Sequence, residues 1–537
     1  MIACMKKPAC SAALFVLPIA FSLALLAMAT PALAVQQDEV PLLAIVVGFE
    51  SDAAGQDTPY DNGYDWGNEL FFGEDSLAAY CSDLSQGGFS IVPAHETSAF
   101  GGSGQMENTN RADRANDGVV HVTLDGEFHD WSFVNEDEAV AQDFEQTVLE
   151  VLNAAGAFSN IDEYDVNGDG ALGPDELLLI VIIPGYDASA LDSPTKQELP
   201  LLWPHQGAID IQAAAQTGWK GPVPSNYLAI PERSLQEGDD LSEASQEPVG
   251  ILAHELGHCL GLPDLYALNS NAENCAWSDY EVGGLSLMST GAWARTLDES
   301  RGWIYCPSAL DPWSLVELGW CTADTVENSG EYHLFSRDSD EGYNILLVPT
   351  SDPNQYYLLE NRQPEGHDTA LKDAYADSSS DGGIVIWHVD KGICDRYSEA
   401  DKVNDTDHRP GVMPLFFEVD ETGAYASDWA RGTPNLAEPF FNTLSVAQNL
   451  GNDSTPIELP LYGNDGEEDT PASRASSGIT VQIMSEPGQD MVVRIQLAND
   501  IEEASSSTSW TSFALLIVPF VSLCVIGIAI FAVRRTR

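Results

Sequence analysis

The residues best able to do chemistry stand together as His254-Glu255-Leu256-Gly257-His258-Cys259-Leu260-Gly261-Leu262-Pro263-Asp264. On a helix, His254 and His258 lie one turn apart and share a face. Both imidazoles can then meet one zinc ion at about 2.0–2.1 Å. Glu255 projects beside them, within reach of a metal-bound water. Gly261 permits a sharp exit from the helix, so the chain can bring Asp264 back as a third ligand. Three protein ligands leave a fourth position for water, the pattern of a catalytic zinc site. There the metal lowers the water's pKa and Glu255 takes its proton. Cys259 follows His258 directly and points to another face, so core packing or a disulfide is expected of it rather than ligation.

A second constellation runs from Asp165 to Glu176 and fits the twelve-residue calcium-loop pattern. Asp165, Asn167 and Asp169 offer side-chain oxygens, Ala171 its carbonyl, and Glu176 a bidentate carboxylate, while Gly170 makes the turn. A β-branched strand follows instead of a second helix, so the expectation is a structural calcium clip and not a regulatory pair. Further on, Met288 in Ser286–Trp293 lies 24 residues after Asp264, where a long-motif zinc peptidase places the methionine turn beneath its metal. His205 either supports the site, faces substrate, or is a hydrogen-bonded structural histidine. Tyr266 and Tyr280 are both candidates to stabilise an oxyanion, and spacing does not choose between them. Glu360 and Arg362 are expected to pair with each other. No G-x-S-x-G sequence occurs.

These residues need a frame. Leu42–Phe49 and Leu177–Ile183 read as buried strands, the second ended by Pro184-Gly185. Residues 75–84 and 138–154 have helical spacing. Pro248–Leu260 reads as a helix with proline near its first turn and Gly261 closing it. Beyond about residue 322 the texture changes to short alternating strands: Tyr343–Pro349, Gln355–Glu360, Gly383–Val389, Leu415–Val419, Ile479–Ile483 and Met491–Leu497. Turn-rich stretches such as Asp377–Gly382 and Gly463–Ser477 separate them.

The ends and the composition set the compartment. Residues 1–34 read as a signal peptide, with Lys6 and Lys7 before an apolar run and Ala32-Leu33-Ala34 as the cleavage site. Residues 499–512 form a Ser-rich stalk, and Phe513–Val533 is long enough for a transmembrane helix. The tail 534–537, rich in arginine, would stay cytoplasmic. The expectation is a single-pass protein with its body on the outer face of the membrane. With 84 acids against 22 bases the net charge is −62, which excludes a nucleic-acid binder, since phosphate binding needs clustered Lys and Arg. Six cysteines lie outside the two terminal segments (Cys81, Cys259, Cys275, Cys306, Cys321, Cys394), permitting up to three disulfides or none.

The sequence also resembles the secreted immune inhibitor A family of bacterial zinc metallopeptidases. The resemblance rests on HELGHCLGLPD, LMSTGAW, DPWSLVELGW (Asp311–Trp320), YDVNGDG (Tyr164–Gly170), LWPHQG (Leu202–Gly207), YYLLENRQ (Tyr356–Gln363) and GGIVIWHVD (Gly382–Asp390), over roughly residues 40–497. It implies a metzincin-like catalytic domain with zinc on His254, His258 and Asp264, Glu255 as general base, and calcium for stability. The resulting expectation is an α+β chain. A zinc peptidase domain spans 35–322 and a β-sandwich-like domain 323–498, followed by the stalk and the transmembrane helix. Its activity would be cell-surface hydrolysis of peptide bonds in protein or peptide substrates, through a zinc-bound water activated by Glu255. The alternative is a metal-stabilised surface adhesin with vestigial catalysis, against which an intact Glu255 speaks.

Overall fold

The computed structural model describes residues 39–498 except for internal segments, the longer being 53–63, 99–113, 190–200, 267–281, 416–439, 443–453 and 463–473. The expected signal peptide, stalk, apolar run 513–533 and tail lie outside the described residues. The expectation of a single-pass membrane protein is corrected: no helix among the described residues is long and apolar enough to cross a membrane. The helix Glu138–Ala155, for example, carries Asp143, Glu145 and Glu150, which a hydrocarbon core does not accept.

The N-terminal half is built on a mixed sheet. Its strands, in chain order with a small separate pair, are β1 (Val40–Asp52), β2 (Ile91–Pro93), β3 (Val119–Phe128), β4 (Ala171–Leu172), β5 (Leu178–Asp187), β6 (Leu201–Leu202), β7 (His205–Gly207), β8 (Val223–Pro224), β9 (Tyr227–Ser234) and β10 (Ser245–Gln246). The spatial order is β10-β9-β5-β1-β2, with β3 also on β1, β6 on β5 and β7 on β9; β4 and β8 form the pair. Strands β1, β2, β3, β5 and β9 run parallel, whereas β7 and β10 lie antiparallel against β9.

Alternation sorts the central strands onto two faces. Leu42, Ala44 and Val46 of β1, Ile180 and Ile182 of β5, and Ile230 of β9 face helices α1 (Leu77–Leu84) and α4 (Val249–Cys259). Leu43, Ile45, Val47, Leu179 and Val181 face α2 (Glu138–Ala155), through Phe144, Val148 and Leu152. Helix α3 (Ile211–Thr217) adds Ala214 to that second face. Covering both faces explains why β5 is a continuous apolar run. The strand does not stop at Pro184-Gly185, as the sequence suggested. It continues to Asp187 with a register irregularity against β9 between Ile183 and Tyr186, since a bulge tolerates a proline that donates no ladder bond.

The hairpin β11 (Arg295–Asp298) and β12 (Gly302–Tyr305) and helix α5 (Pro312–Glu317) lead into the C-terminal half. Asp311 caps α5 by accepting the Ser314 N–H at 3.0 Å, and Pro312 opens the helix. There follow β13 (Ala323–Thr325), β14 (Gly330–Phe335), β15 (Ile345–Pro349), β16 (Gln355–Arg362), β17 (Gly383–Asp390), helix α6 (Lys391–Tyr397), β18 (Val412–Pro414), β19 (Ile457–Tyr462), β20 (Arg474–Ile483) and β21 (Asp490–Gln496). One sheet is β13-β15-β16-β17-β18, the other β14-β21-β20-β19. Strand β20 begins at Arg474, inside the stretch read as turns. A strand forms at Val412–Pro414, and residues 416–419 of the strand expected at Leu415–Val419 lie outside the described residues.

The five-stranded sheet is covered on both sides. Tyr357, Leu359, Ile384 and Ile386 pack against Ile479, Val481, Val493 and Ile495 of the four-stranded sheet. Ile345, Leu358, Val385 and Trp387 belong to the same apolar cluster as the α1 and α4 face of the N-terminal sheet. One core therefore runs across residue 322. Cys81, Cys259, Cys306, Cys321 and Cys394 are all free thiols, and Cys275 lies outside the described residues.

Candidate metal centre

Helix α4 is buried along almost its whole length. Its C-terminus is a Schellman turn: the Gly261 N–H bonds the His258 carbonyl and the Leu262 N–H reaches the Gly257 carbonyl, both at 2.9 Å. Gly261 has φ +97°, which an L side chain rarely adopts. The reversal sends residues 262–265 back along the helix and brings Asp264 to the two histidines. His254, His258 and Asp264 place one ligand atom each within 4.8 Å of one another.

The distances fit a cation. Asp264 Oδ1 lies 3.2 Å from His254 Nε2 and 3.4 Å from His258 Nε2. Ligands at 2.0–2.1 Å in a tetrahedron are separated by about 3.3 Å along each edge. Asp264 Oδ1 is buried and faces both ring nitrogens. Each ring's other nitrogen is engaged: His254 Nδ1 meets the Leu287 carbonyl at 2.9 Å and His258 Nδ1 the Leu262 carbonyl at 2.8 Å. A carbonyl only accepts, so Nδ1 carries a proton, and when the ring is neutral Nε2 keeps its lone pair for a metal. The donor set is two neutral imidazoles and one carboxylate, which suits zinc.

Glu255 is also buried. Burial pushes its carboxyl pKa above the ordinary range, partly offset by His254 and His258, and the backbone N–H of Gln206 on β7 donates to it. The Glu255 carboxylate thus lies between helix α4 and strand β7.

Met288 lies against Gly257 of helix α4. It is fully buried, its carbonyl accepts the Leu265 N–H at 2.7 Å, and its N–H donates to Ser286 Oγ at 3.2 Å. Ser286 Oγ in turn donates to the helix-capping carboxylate of Asp311 at 2.7 Å. The segment is further held by Arg362, a residue expected only to pair with Glu360. Arg362 lies 3.4 Å from Glu360, but its bidentate partner is Asp368, and its remaining N–H groups donate to the Leu285 and Ala309 carbonyls. Glu360 is occupied by Tyr343 at 2.6 Å and Trp387 at 2.9 Å.

The other candidates separate. The Tyr266 ring lies parallel to that of His254 with centroids 6.3 Å apart, and Tyr266 is close to Asp264; Tyr280 lies outside the described residues. His205 is a core residue: its Nδ1 meets the Trp203 carbonyl at 2.8 Å, it packs on Phe144 and Tyr227, and burial lowers its pKa to about 4. Asp401, on a turn after α6, was missed. Its carboxylate accepts the Asp264 N–H, and no local sequence pattern links two residues so far apart.

In the loop 165–176 the side-chain oxygens bond the loop's own backbone. Asp165 accepts from the N–H groups of Gly168, Asp169 and Gly170, Asn167 from Asp169, and Glu176 from Val166, Asn167 and Gly173. Its carboxylates are not among the groups whose ligand atoms converge within 4.8 Å.

Residues 69–314 match the family model described as immune inhibitor A peptidase M6, catalytic domain. The chain is 30% identical over 142 residues to Immune inhibitor A of Bacillus thuringiensis subsp. alesti, a match covering 26% of this chain and 19% of that protein. The chain thus spans about a fifth of the length of the curated relative it matches. The cluster of His254, His258 and Asp264 falls inside the segment, residues 69–314, that is similar to the immune inhibitor A peptidase M6 catalytic domain.

Proposed function

We propose that this protein is a zinc-dependent endopeptidase acting on protein or peptide substrates. The observation that carries the reading is the meeting of His254, His258 and Asp264 at zinc-ligand spacing with the buried Glu255 beside them. Zinc held there would supply a Lewis acid for the scissile carbonyl and an acidified water. Glu255 accepts the proton of the attacking water and returns it to the leaving amine. Its raised pKa suits both duties, and the Gln206 N–H fixes the carboxylate toward the ligands. The burial of Glu255 at the site favours this reading over an adhesin with a purely structural metal.

The division of labour follows the fold. Residues 35–322 form the catalytic part and 323–498 a β-sandwich-like part that buttresses it, the shared apolar cluster supporting this assignment. The loop 165–176 is read as a calcium clip, supported by its twelve-residue pattern and by Gly168 and Gly170 at φ +73° and +82°. The test of the main reading is hydrolysis of an unfolded protein by the purified chain. Activity that a chelator abolishes and added zinc restores is expected. Hydrolysis indifferent to chelator would contradict it.

A further inference from the structure

The third ligand is the least secured by its own neighbourhood. His254 and His258 are fixed by helix α4. Asp264 lies beyond the helix end on an irregular stretch, and a ligand on such a stretch is only as well placed as the bonds to its backbone.

Those bonds come from elsewhere. The Asp264 N–H donates to Asp401 Oδ1, across 137 residues. The Leu265 carbonyl accepts from Asn404 Nδ2 at 2.9 Å, across 139 residues. The Leu265 N–H goes to the Met288 carbonyl. Asn404 is itself locked: Nδ2 also donates to the Val412 carbonyl at 2.7 Å, and Oδ1 accepts the Val412 N–H at 3.0 Å. Val412 opens β18, which pairs with β17 in the five-stranded sheet. Two backbone bonds brace the described residues between α6 and β18. Lys402 N–H bonds the Tyr397 carbonyl at 3.1 Å, Gly411 N–H bonds the Val403 carbonyl at 2.9 Å, and Val403 is fully buried. Asp401 adopts φ +55°, a conformation that Asp and Asn tolerate better than other side-chain-bearing residues.

We propose that Asp401 and Asn404 are positioning residues for the metal site. Together they clamp the Asp264–Leu265 backbone so that Asp264 Oδ1 faces both imidazoles, and the C-terminal β-rich part thereby completes a site whose ligands all lie in the N-terminal part. The inference rests on the zinc reading above. It gives residues 401–404 a role in metal affinity and not only in folding. Groups that hold a ligand in place typically change metal affinity by about 10–100-fold when removed.

The test uses the full chain with Asp401→Gly and Asp401→Asn. Glycine accepts φ +55° without strain but offers no acceptor, whereas asparagine keeps both the conformation and the Oδ1 acceptor. The readouts are the zinc dissociation constant, by competition with a chromogenic chelator, and the thermal midpoint of the zinc-free protein. D401G is expected to weaken zinc binding about 10–100-fold, with the zinc-free midpoint moving by no more than about 4 °C. D401N is expected to bind within about threefold of the unaltered protein, because the acceptor is retained. Unaltered zinc affinity in D401G overturns the clamp, as does a D401N that behaves like D401G. Loss of the cooperative zinc-free transition in D401G makes Asp401 a folding residue and also overturns it. An unaltered protein that takes up no zinc contradicts the zinc reading itself, a result distinguishable from all three.

Discussion

Gly257 of helix α4 and Met288 of the following turn are in direct contact: a Cβ on Gly257 would come within 2.4 Å of the Met288 sulfur. Gly250 occupies the same helix face two turns earlier, where a Cβ would meet the Ala292 carbonyl oxygen at 2.1 Å. Two glycines seven apart let the methionine turn lie flat on the helix that carries the histidines. Gly257→Ala gains up to about 1 kcal/mol of helix propensity but overpacks a filled site, which costs about 1–3 kcal/mol. Net destabilisation is expected, and it should be larger for Gly250→Ala, whose obstacle is backbone and cannot turn aside. Chemical denaturation of the zinc-free variants checks the order; a stabilised Gly250→Ala would show that the contact is not tight.

The metal-free protein should respond to pH through His258. Burial disfavours its imidazolium, but Asp264 more than offsets this and lifts the pKa to about 10. A raised folded pKa gives stability that is complete below the unfolded value near 6.5 and is lost as pH rises through about 10. Zinc requires the neutral ring and competes with that proton. Between about pH 6.5 and 10 the zinc-free midpoint should therefore fall while apparent zinc affinity rises. Titration calorimetry in buffers of different ionisation enthalpy should show protons released on zinc uptake, and a pH-independent affinity would contradict the pairing.

Arg362 is buried between the Asp368 carboxylate and the Leu285 and Ala309 carbonyls. Arg362→Met removes the bidentate partner of the buried Asp368 carboxylate, leaving it the Ala309 N–H and the charge of Arg337, which costs up to about 3–5 kcal/mol. Because Leu285 lies two residues before Leu287, whose carbonyl meets His254 Nδ1, zinc affinity should fall together with stability. Urea unfolding and zinc titration of R362M measure both. A double variant that also removes the Asp368 charge should recover part of the stability.

Calcium in millimolar excess should raise the thermal midpoint, because a ligand that binds only the folded state stabilises it by mass action. Replacing Asp165 and Asp169 by alanine should abolish that shift. The double variant should also be less stable without calcium, since Asp165 alone accepts three backbone N–H groups. A calcium shift that survives the replacement would place the ion elsewhere among the acids.

Much of the site is legible in the sequence because its first part is local. A helix pitch relates His254 to His258, a glycine turn relates both to Asp264, and the buried strands β1 and β5 announce themselves as apolar runs. What was not legible depends on pairing across the chain. Asp401 reads as one acid among many until β17 and β18 bring its turn to Asp264. Arg362 pairs with Glu360 as its spacing suggests, but burial adds Asp368 and two carbonyls, partners that no local pattern announces. Strands β13, β14 and β19 are short or half exposed, so their patterns are too weak to separate from loops. The irregular end of β5 was misread because a proline at a register break does not stop a strand. The apolar run 513–533 is conspicuous in sequence, yet among the described residues no helix meets the requirement for crossing a membrane.

The most direct measurement of the central claim is zinc content together with proteolytic rate in Glu255→Ala. Glu255 is not among the three residues whose ligand atoms converge, so the variant should bind zinc stoichiometrically. Its hydrolysis of an unfolded substrate should drop by at least ~10²-fold, because only the proton transfer has been removed. Zinc retained with undiminished hydrolysis would contradict the assignment of Glu255 as the base, and with it the account of how this site cleaves peptide bonds.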